Sequence, residues 1–309
     1  MRAYIFKRIL WMVPLLIGIS FITFLLMNLS PSDPAEVALR VNEITVTPEA
    51  LVQMKEELGL NAPWYERYVL WLKGILHGDF GLSYATKTPV VQEITQALSI
   101  TLLLALVTLV LIVCVGFGLG IVCALYEGSW SDKLIRFFVF VSTAMPSFWQ
   151  GLLLVWLFSL HLNLLPTSGF VGLESMILPS LTLSLSYIST YARMMRNTMI
   201  ETKEELFVLY AKARGLRESV INWHIINNAL RPCIIALGMS IPKLIAGTVV
   251  VENIFGLSGI GRLCVHAIFS RDYPMIQAYV FLMACLFILF NLCADVFVRS
   301  LDPRLRKSL

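Results

Sequence analysis

Charge is what this sequence lacks most. Only 14% of its 309 residues are Asp, Glu, Lys or Arg, and 58% are hydrophobic, whereas soluble domains carry about a quarter charged residues. That shortage points away from a soluble domain and toward a membrane protein. Catalytic signatures are missing as well. There is no G-x-x-x-x-G-K-S/T loop to cradle a phosphate and no H-E-x-x-H zinc motif. The four histidines, His77, His161, His224 and His266, show no ligand spacing. None of the six cysteines form a C-x-x-C pair, and five sit in or at the edge of apolar runs, so no structural disulfide is expected. Two glycine-rich strings, GFGLG and GLSGIG, resemble nucleotide motifs only superficially: the first lies inside an apolar run and the second follows no buried strand. No low-complexity tract, soluble-domain repeat or long flexible linker is present. An enzyme acting alone is thereby disfavoured, and a transport or scaffold role remains.

What the chain has in place of these is apolar length. Six runs approach the roughly 20 residues needed to cross a bilayer: Ile9–Leu29, Ser99–Leu125, Phe137–Leu160, Met176–Tyr191, Cys233–Val251 and Met275–Val298. The fourth is the shortest. The first follows the basic Arg2, Lys7 and Arg8, as a signal peptide would, but its core is too long and the next residues, NLSPSDPAE, offer no small-residue cleavage site. It reads as a retained anchor. Small residues at Gly116 and Gly120, four apart, suit close helix packing. Pro146 in STAMPSFWQG is expected to kink or start the third span, freeing a backbone carbonyl that only protein or a water-filled path can satisfy.

Charge asymmetry orients these runs. The N-terminus, residues 126–136, residues 192–232 and the tail from Arg299 together hold 16 basic and 7 acidic residues, whereas residues 30–98 hold 5 basic and 9 acidic. Basic loops stay in the cytoplasm, so both termini are expected there and 30–98 outside. That external stretch reads as two amphipathic helices broken at GLNAP. The second carries Trp64, Tyr65, Tyr68 and Trp71, an aromatic face suited to the lipid–water boundary.

One polar stretch stands out between apolar runs: YAKARGLRESVINWHIINNALRP, Tyr210 to Pro232. ETKEELFVLYAKARG reads as one helix, with acids first, bases last and Gly215 after its final turn. ESVINWHIINNAL reads as a second short helix that Pro232 closes. The pair is expected to form a rigid elbow whose apolar positions need another protein to cover them.

Ala211 four residues before Gly215, Pro232 seventeen after it and the closing HIINNALRP resemble the "EAA" loop of ABC-importer permeases, within the branch that serves di/oligopeptide and nickel importers. GDFGLSY at 78–84, MPSFWQGLLLV at 145–155, ENIFGLSGIGRL and RDYP within 252–274, and LDPR at 301–304 agree in order, so the resemblance runs end to end. It departs at Leu209, where the naming glutamate would stand (its absence is usual in this branch), at Asn227 and Arg231, and at Lys243, where the family more often has a small or acidic residue.

The resemblance implies an all-α membrane fold of six transmembrane helices, the type I ABC-importer fold, with an external helical insertion after the first. Residues 1–98 would form the anchor and external segment, and 99–309 a five-helix permease core holding the coupling loop 192–232. It further implies a second homologous permease, two cytoplasmic ATPases that bind ATP with Mg, and an external binding protein. The chain itself would carry no cofactor and bind no nucleic acid. Ala211, Gly215, Leu216, His224, Asn228, Ala229 and Pro232 would form the ATPase-coupling loop.

Ionisable groups within apolar spans are candidates for a pathway or gate: Lys243 midway along the fifth run, Asp295 near Asn291 on the sixth, and Glu252 opening the external loop, alongside Met145 as a soft metal contact. Snorkelling for Lys243, helix bridging for Asp295, loop architecture for Glu252 and core packing for the methionines stand as plainer readings. FGLSYATKTPV and AIFSRDYPMIQ look closest to nickel-importer permeases, though peptide permeases share most of the pattern. A gradient-driven transporter would favour paired mid-membrane carboxylates and inverted repeats, which the sequence does not show. A membrane scaffold would leave the elbow unexplained.

Overall fold

The computed structural model describes residues 2–29 and 33–301. Asp302, Pro303 and Arg304 of the LDPR motif, and the tail beyond them, lie outside. Among the described residues every regular element is helical, apart from an isolated bridge between Leu82 and Pro89. In order these are α1 (Arg2–Asn28), α2 (Pro34–Val41), α3 (Pro48–Glu57), α4 (Trp64–Leu76) and α5 (Val90–Leu111). A π-helical turn, Ile112–Phe117, leads from α5 into α6 (Gly118–Leu125). Then come α7 (Trp130–Ala144), α8 (Ser147–Leu154) with a π-helical end to His161, α9 (Ile177–Lys203), α10 (Leu206–Ala213), α11 (Glu218–Ile254), α12 (Ile260–Phe269) and α13 (Tyr273–Leu301).

Two compact units emerge: Met1–Thr101 with Ser258–Leu292, and Leu102–Leu257 with Cys293–Leu309. In the first, prolines start α2 and α3, and their caps follow from sequence. The Asp33 carboxylate accepts from Ala35 N–H at 3.0 Å and Thr47 Oγ1 from Ala50 N–H at 3.2 Å, filling donors that a helix start leaves open. Part of the aromatic face of α4 packs on neighbouring helices. Tyr68 packs edge-on to Phe21 of α1, its hydroxyl pairs with Ser20 Oγ at 2.9 Å, and Trp71 lies edge-on to Phe281 of α13. Tyr68 and Trp71 are partly covered by these contacts, while Trp64 and Tyr65 remain exposed.

In the second unit, α9 is the centre. The glycine pair behaves as spaced: a Cβ on Gly120 would sit 2.6 Å from the Ala192 carbonyl and 2.7 Å from Met195 Cβ, and one on Gly116 would sit 3.3 Å from Ile188 Cα. At Gly120 only glycine allows that approach without a shift of α9; at Gly116 the fit is merely tight. The face α9 buries is unusually polar, with Ser180, Thr182, Ser184 and Ser189 all buried. Thr182 and Ser189 donate to carbonyls one turn back, at 2.8 and 2.9 Å, which satisfies the hydroxyls without a partner helix.

Two expectations need correction. The third apolar run is not one straight helix but two, α7 and α8, meeting at 110°. And Pro232 does not end a helix: α11 runs 37 residues from Glu218 to Ile254 with Pro232 and Pro242 inside it. Among the described residues, four helices can cross a membrane by length and composition, or five if the bent pair counts as one span. α9 is too polar to be counted with them.

Candidate coupling elbow and pathway residues

The polar stretch builds an elbow, though not the one expected. Its first helix is not continuous. α9 ends at Lys203, whose ammonium donates to the Ala124 carbonyl and lies 3.6 Å from Glu127. Glu204 and Glu205 then break the chain, and α10 starts afresh at Leu206. α10 closes on a Schellman turn. Leu216 N–H reaches back to the Ala211 carbonyl at 3.2 Å and Gly215 N–H to Lys212 at 2.9 Å. Gly215 has φ +72°, a left-handed conformation in which a Cβ is penalised. Arg217 leads into α11, and Ile221, Ile225, Ala229 and Cys233 form its buried stripe at four-residue spacing.

What the elbow presents is apolar. Val208 anchors α10 inward, while Leu206 is 80% exposed, Leu209 65% and Tyr210 66%. Trp223 on α11 is also exposed, and Lys212, Arg214 and Arg217 are exposed beside them. The Arg214 guanidinium sits 5.9 Å from the Tyr210 ring centre. The exposed surface therefore has an apolar centre and a cationic rim. Of the expected coupling residues, Ala211, Gly215 and Leu216 meet in the Schellman turn. His224 and Asn228 share the exposed face of α11, where Asn228 Nδ2 donates to the His224 carbonyl at 2.9 Å. Ala229 is buried and Pro232 is exposed within α11.

The pathway candidates are not gathered. Lys243 and Glu252 share α11 but lie nine residues apart, about 13 Å of rise and half a turn round. Lys243 is accordingly exposed and Glu252 fully buried. Lys243 makes no ion pair among the described residues. Asp295 is half-buried on α13. Met145 is half-buried in the α7–α8 bend, and Met195 and Met199 are core side chains on α9. Among the described residues no cluster of three or more His, Cys, Asp or Glu side chains is placed to hold a metal.

Two arrangements escaped the sequence. At the α7–α8 bend, Pro146 starts α8 and leaves carbonyls of α7 unpaired, as expected. The buried Gln150 amide fills them, donating to Ser142 O at 2.6 Å and Met145 O at 3.0 Å. Its own Oε1, with Ser142 Oγ and Ser180 Oγ, is buried without a partner among the described residues. In the first unit, Asp272 of RDYP is buried and ties down GDFGLSY. It accepts from Ser83 Oγ at 2.5 Å, Tyr84 N–H at 3.1 Å and Ala85 N–H at 3.3 Å. The two motifs were visible one by one; their junction, almost 190 residues apart in sequence, was not. Beside it, burial pushes the Tyr84 phenol up to about 12, against the opposing pull of Arg67.

The comparisons with known proteins match this architecture along its whole length. Residues 116–307 match the family described as binding-protein-dependent transport system inner membrane component, and residues 1–105 match the N-terminal family of such membrane components. The metal-staphylopine import system permease protein CntB of Staphylococcus aureus (strain NCTC 8325 / PS 47) is 40% identical, with 99% of each chain covered. A putative peptide transport system permease protein of Brucella abortus (strain 2308) is 35% identical, again with 99% of each covered. The dipeptide transport system permease protein DppB of Alkalihalophilus pseudofirmus is 31% identical, covering 99% of this chain and 100% of that one. In fold, the chain is similar to a solved MetNI methionine ABC transporter in an inward-facing conformation, at a TM-score of 0.55 and 14% identity, covering 68% of this chain and 96% of that one.

Proposed function

Since the chain belongs to the family of binding-protein-dependent transport system inner membrane components, we propose that it forms half of the translocation pathway of an ATP-driven importer for nickel carried as a chelate. As a multi-pass ABC-importer permease it is not itself an enzyme; the ATPase resides on separate subunits. The observation that carries the metal reading is the 40% identity, across the full chain, to a permease named for metal-staphylopine import. Peptide permeases at 31–35% identity favour a second reading, a di- or oligopeptide importer.

In this reading six segments cross the bacterial inner membrane, with α9 as the fourth, both termini in the cytoplasm and α2–α4 outside. A second, homologous permease completes the pathway, and an external binding protein delivers the chelate and sets most of its selectivity. Two cytoplasmic ATPases, holding ATP with Mg, grip the α10–α11 elbow by its apolar face while the basic rim steers their approach. ATP-driven closure draws the elbows together and opens the pathway outward; hydrolysis resets it. No cofactor is bound by this chain. Uptake of labelled nickel and of a labelled dipeptide, by cells with and without the chain, separates the readings. Loss of nickel uptake alone supports the metal chelate, and loss of dipeptide uptake alone overturns it while leaving the permease assignment standing.

A further inference from the structure

A groove of about 470 Å³ runs between α7 and α9 in the second unit. Its walls are Ile135, Val139, Phe140 and Ala144 of α7 and Ala192 of α9, and its mouth carries Arg136, Arg193 and Arg196. The spacings place these groups by helix geometry: 136, 139, 140 and 143 lie along one face of α7, and 193, 196 and 197 along one face of α9. Two of the three guanidinium groups, those of Arg196 and Arg136, reach one carboxylate. Asp132 is fully buried, takes Arg196 through two bonds of 2.9 and 3.1 Å, and lies 3.3 Å from Arg136. Arg193 is exposed and makes no ion pair or side-chain hydrogen bond among the described residues. The mouth therefore keeps an excess of two positive charges directly above an apolar slot. Phe137, Phe138 and Phe140, all largely exposed, continue the apolar surface next to it.

From this arrangement we infer that the α7–α9 groove is a binding site for one anionic phospholipid, its phosphate held between Arg136 and Arg193 and an acyl chain laid along Val139, Phe140 and Ala144. A soluble anion would satisfy the arginines but leave the slot uncovered. An apolar helix would cover the slot but leave the charges unpaired. An amphiphile with a negative head matches both parts, which is the pattern of basic pockets between membrane helices. Arg196 is committed to Asp132 and serves to hold the mouth in shape. The inference does not depend on which substrate is imported.

The test is native mass spectrometry of the purified whole transporter, with its partner subunits, in membranes containing phosphatidylglycerol and phosphatidylcholine. The wild type is expected to retain phosphatidylglycerol in preference to phosphatidylcholine. Each arginine near a membrane surface contributes about 1 kcal/mol toward anionic lipid, so Arg136→Gln with Arg193→Gln should cut that preference on the order of 30-fold. The Arg136→Lys, Arg193→Lys protein should keep most of it, which separates loss of charge from loss of fold. Equal retention by the glutamine protein would overturn the site. Release of the lipid by excess inorganic phosphate would overturn the phospholipid assignment. A cross-link from Phe140→Cys to the second permease would show that a protein covers the slot instead.

Discussion

The second unit is interrupted twice, and the two interruptions are finished differently. At Met145–Pro146 the chain turns through 110°, and the freed carbonyls are paired within the same chain, by Gln150. At Glu204–Arg217 the chain breaks again, closes its backbone with Gly215, and leaves Leu206, Leu209 and Tyr210 facing outward. The inner break fills its freed carbonyls from its own chain, though Gln150 Oε1 and Ser142 Oγ keep no partner among the described residues. The outer break closes its turn on Gly215 and is incomplete in its apolar surface. Polar incompleteness is costly inside a membrane and is settled locally; apolar incompleteness at a membrane surface is settled by a partner.

The largest effect should come from the outer break. Leu206→Asp with Leu209→Asp adds charge where an apolar partner is expected. Losing even one interface hot spot of about 2 kcal/mol should lower ATPase retention on purification by about 30-fold, with the permease still folded because both side chains are exposed. The inner break should behave the opposite way. Gln150→Leu strips the donor from the Ser142 and Met145 carbonyls, an expected loss of about 1–3 kcal/mol of stability, seen as earlier thermal unfolding in detergent with ATPase retention unchanged. If retention fell and stability did not, the comparison would be broken.

Gly215→Val sharpens the outer side. The left-handed conformation costs a β-branched residue about 1–2 kcal/mol, so the elbow should be misaimed, with uptake falling more than ATPase retention; Gly215→Asn should be milder. The smallest effect is expected at Pro232→Ala. α11 already continues through this position, and alanine restores an N–H for the Asn228 carbonyl. A stability change under about 1 kcal/mol is expected by thermal melting. A large loss would mean that the proline shapes the elbow after all.

Much of this was legible in the chain, and what was missed shares a cause. The apolar runs, the Gly116–Gly120 contact, the freed carbonyl at Pro146 and the left-handed Gly215 follow from period, size and backbone chemistry that act over a few residues. The polar α9 face was harder. Most of its serines and threonines bond to their own backbone, and its helix runs to Lys203, twelve residues past the end of the apolar stretch. Pro232 misled because proline's effect depends on what packs round it: with Ala229 and Cys233 buried on either side of it in sequence, tertiary packing holds the helix through one lost bond. Gln150 and the Asp272–Ser83 junction could not be read at all, since a side chain's partner across a bend or across almost 190 residues leaves no local period. Of the pathway candidates, burial sets Glu252 apart from Lys243, which helix phase alone explains once α11 is known to be continuous.

The central claim is that the α10–α11 elbow is where the ATPase holds this permease. A photo-cross-linking amino acid in place of Tyr210, in whole cells making the full transporter, tests it in one step. The account predicts a covalent adduct with the cytoplasmic ATPase. An adduct with the external binding protein, or labelling of lipid alone while uptake continues, would contradict it.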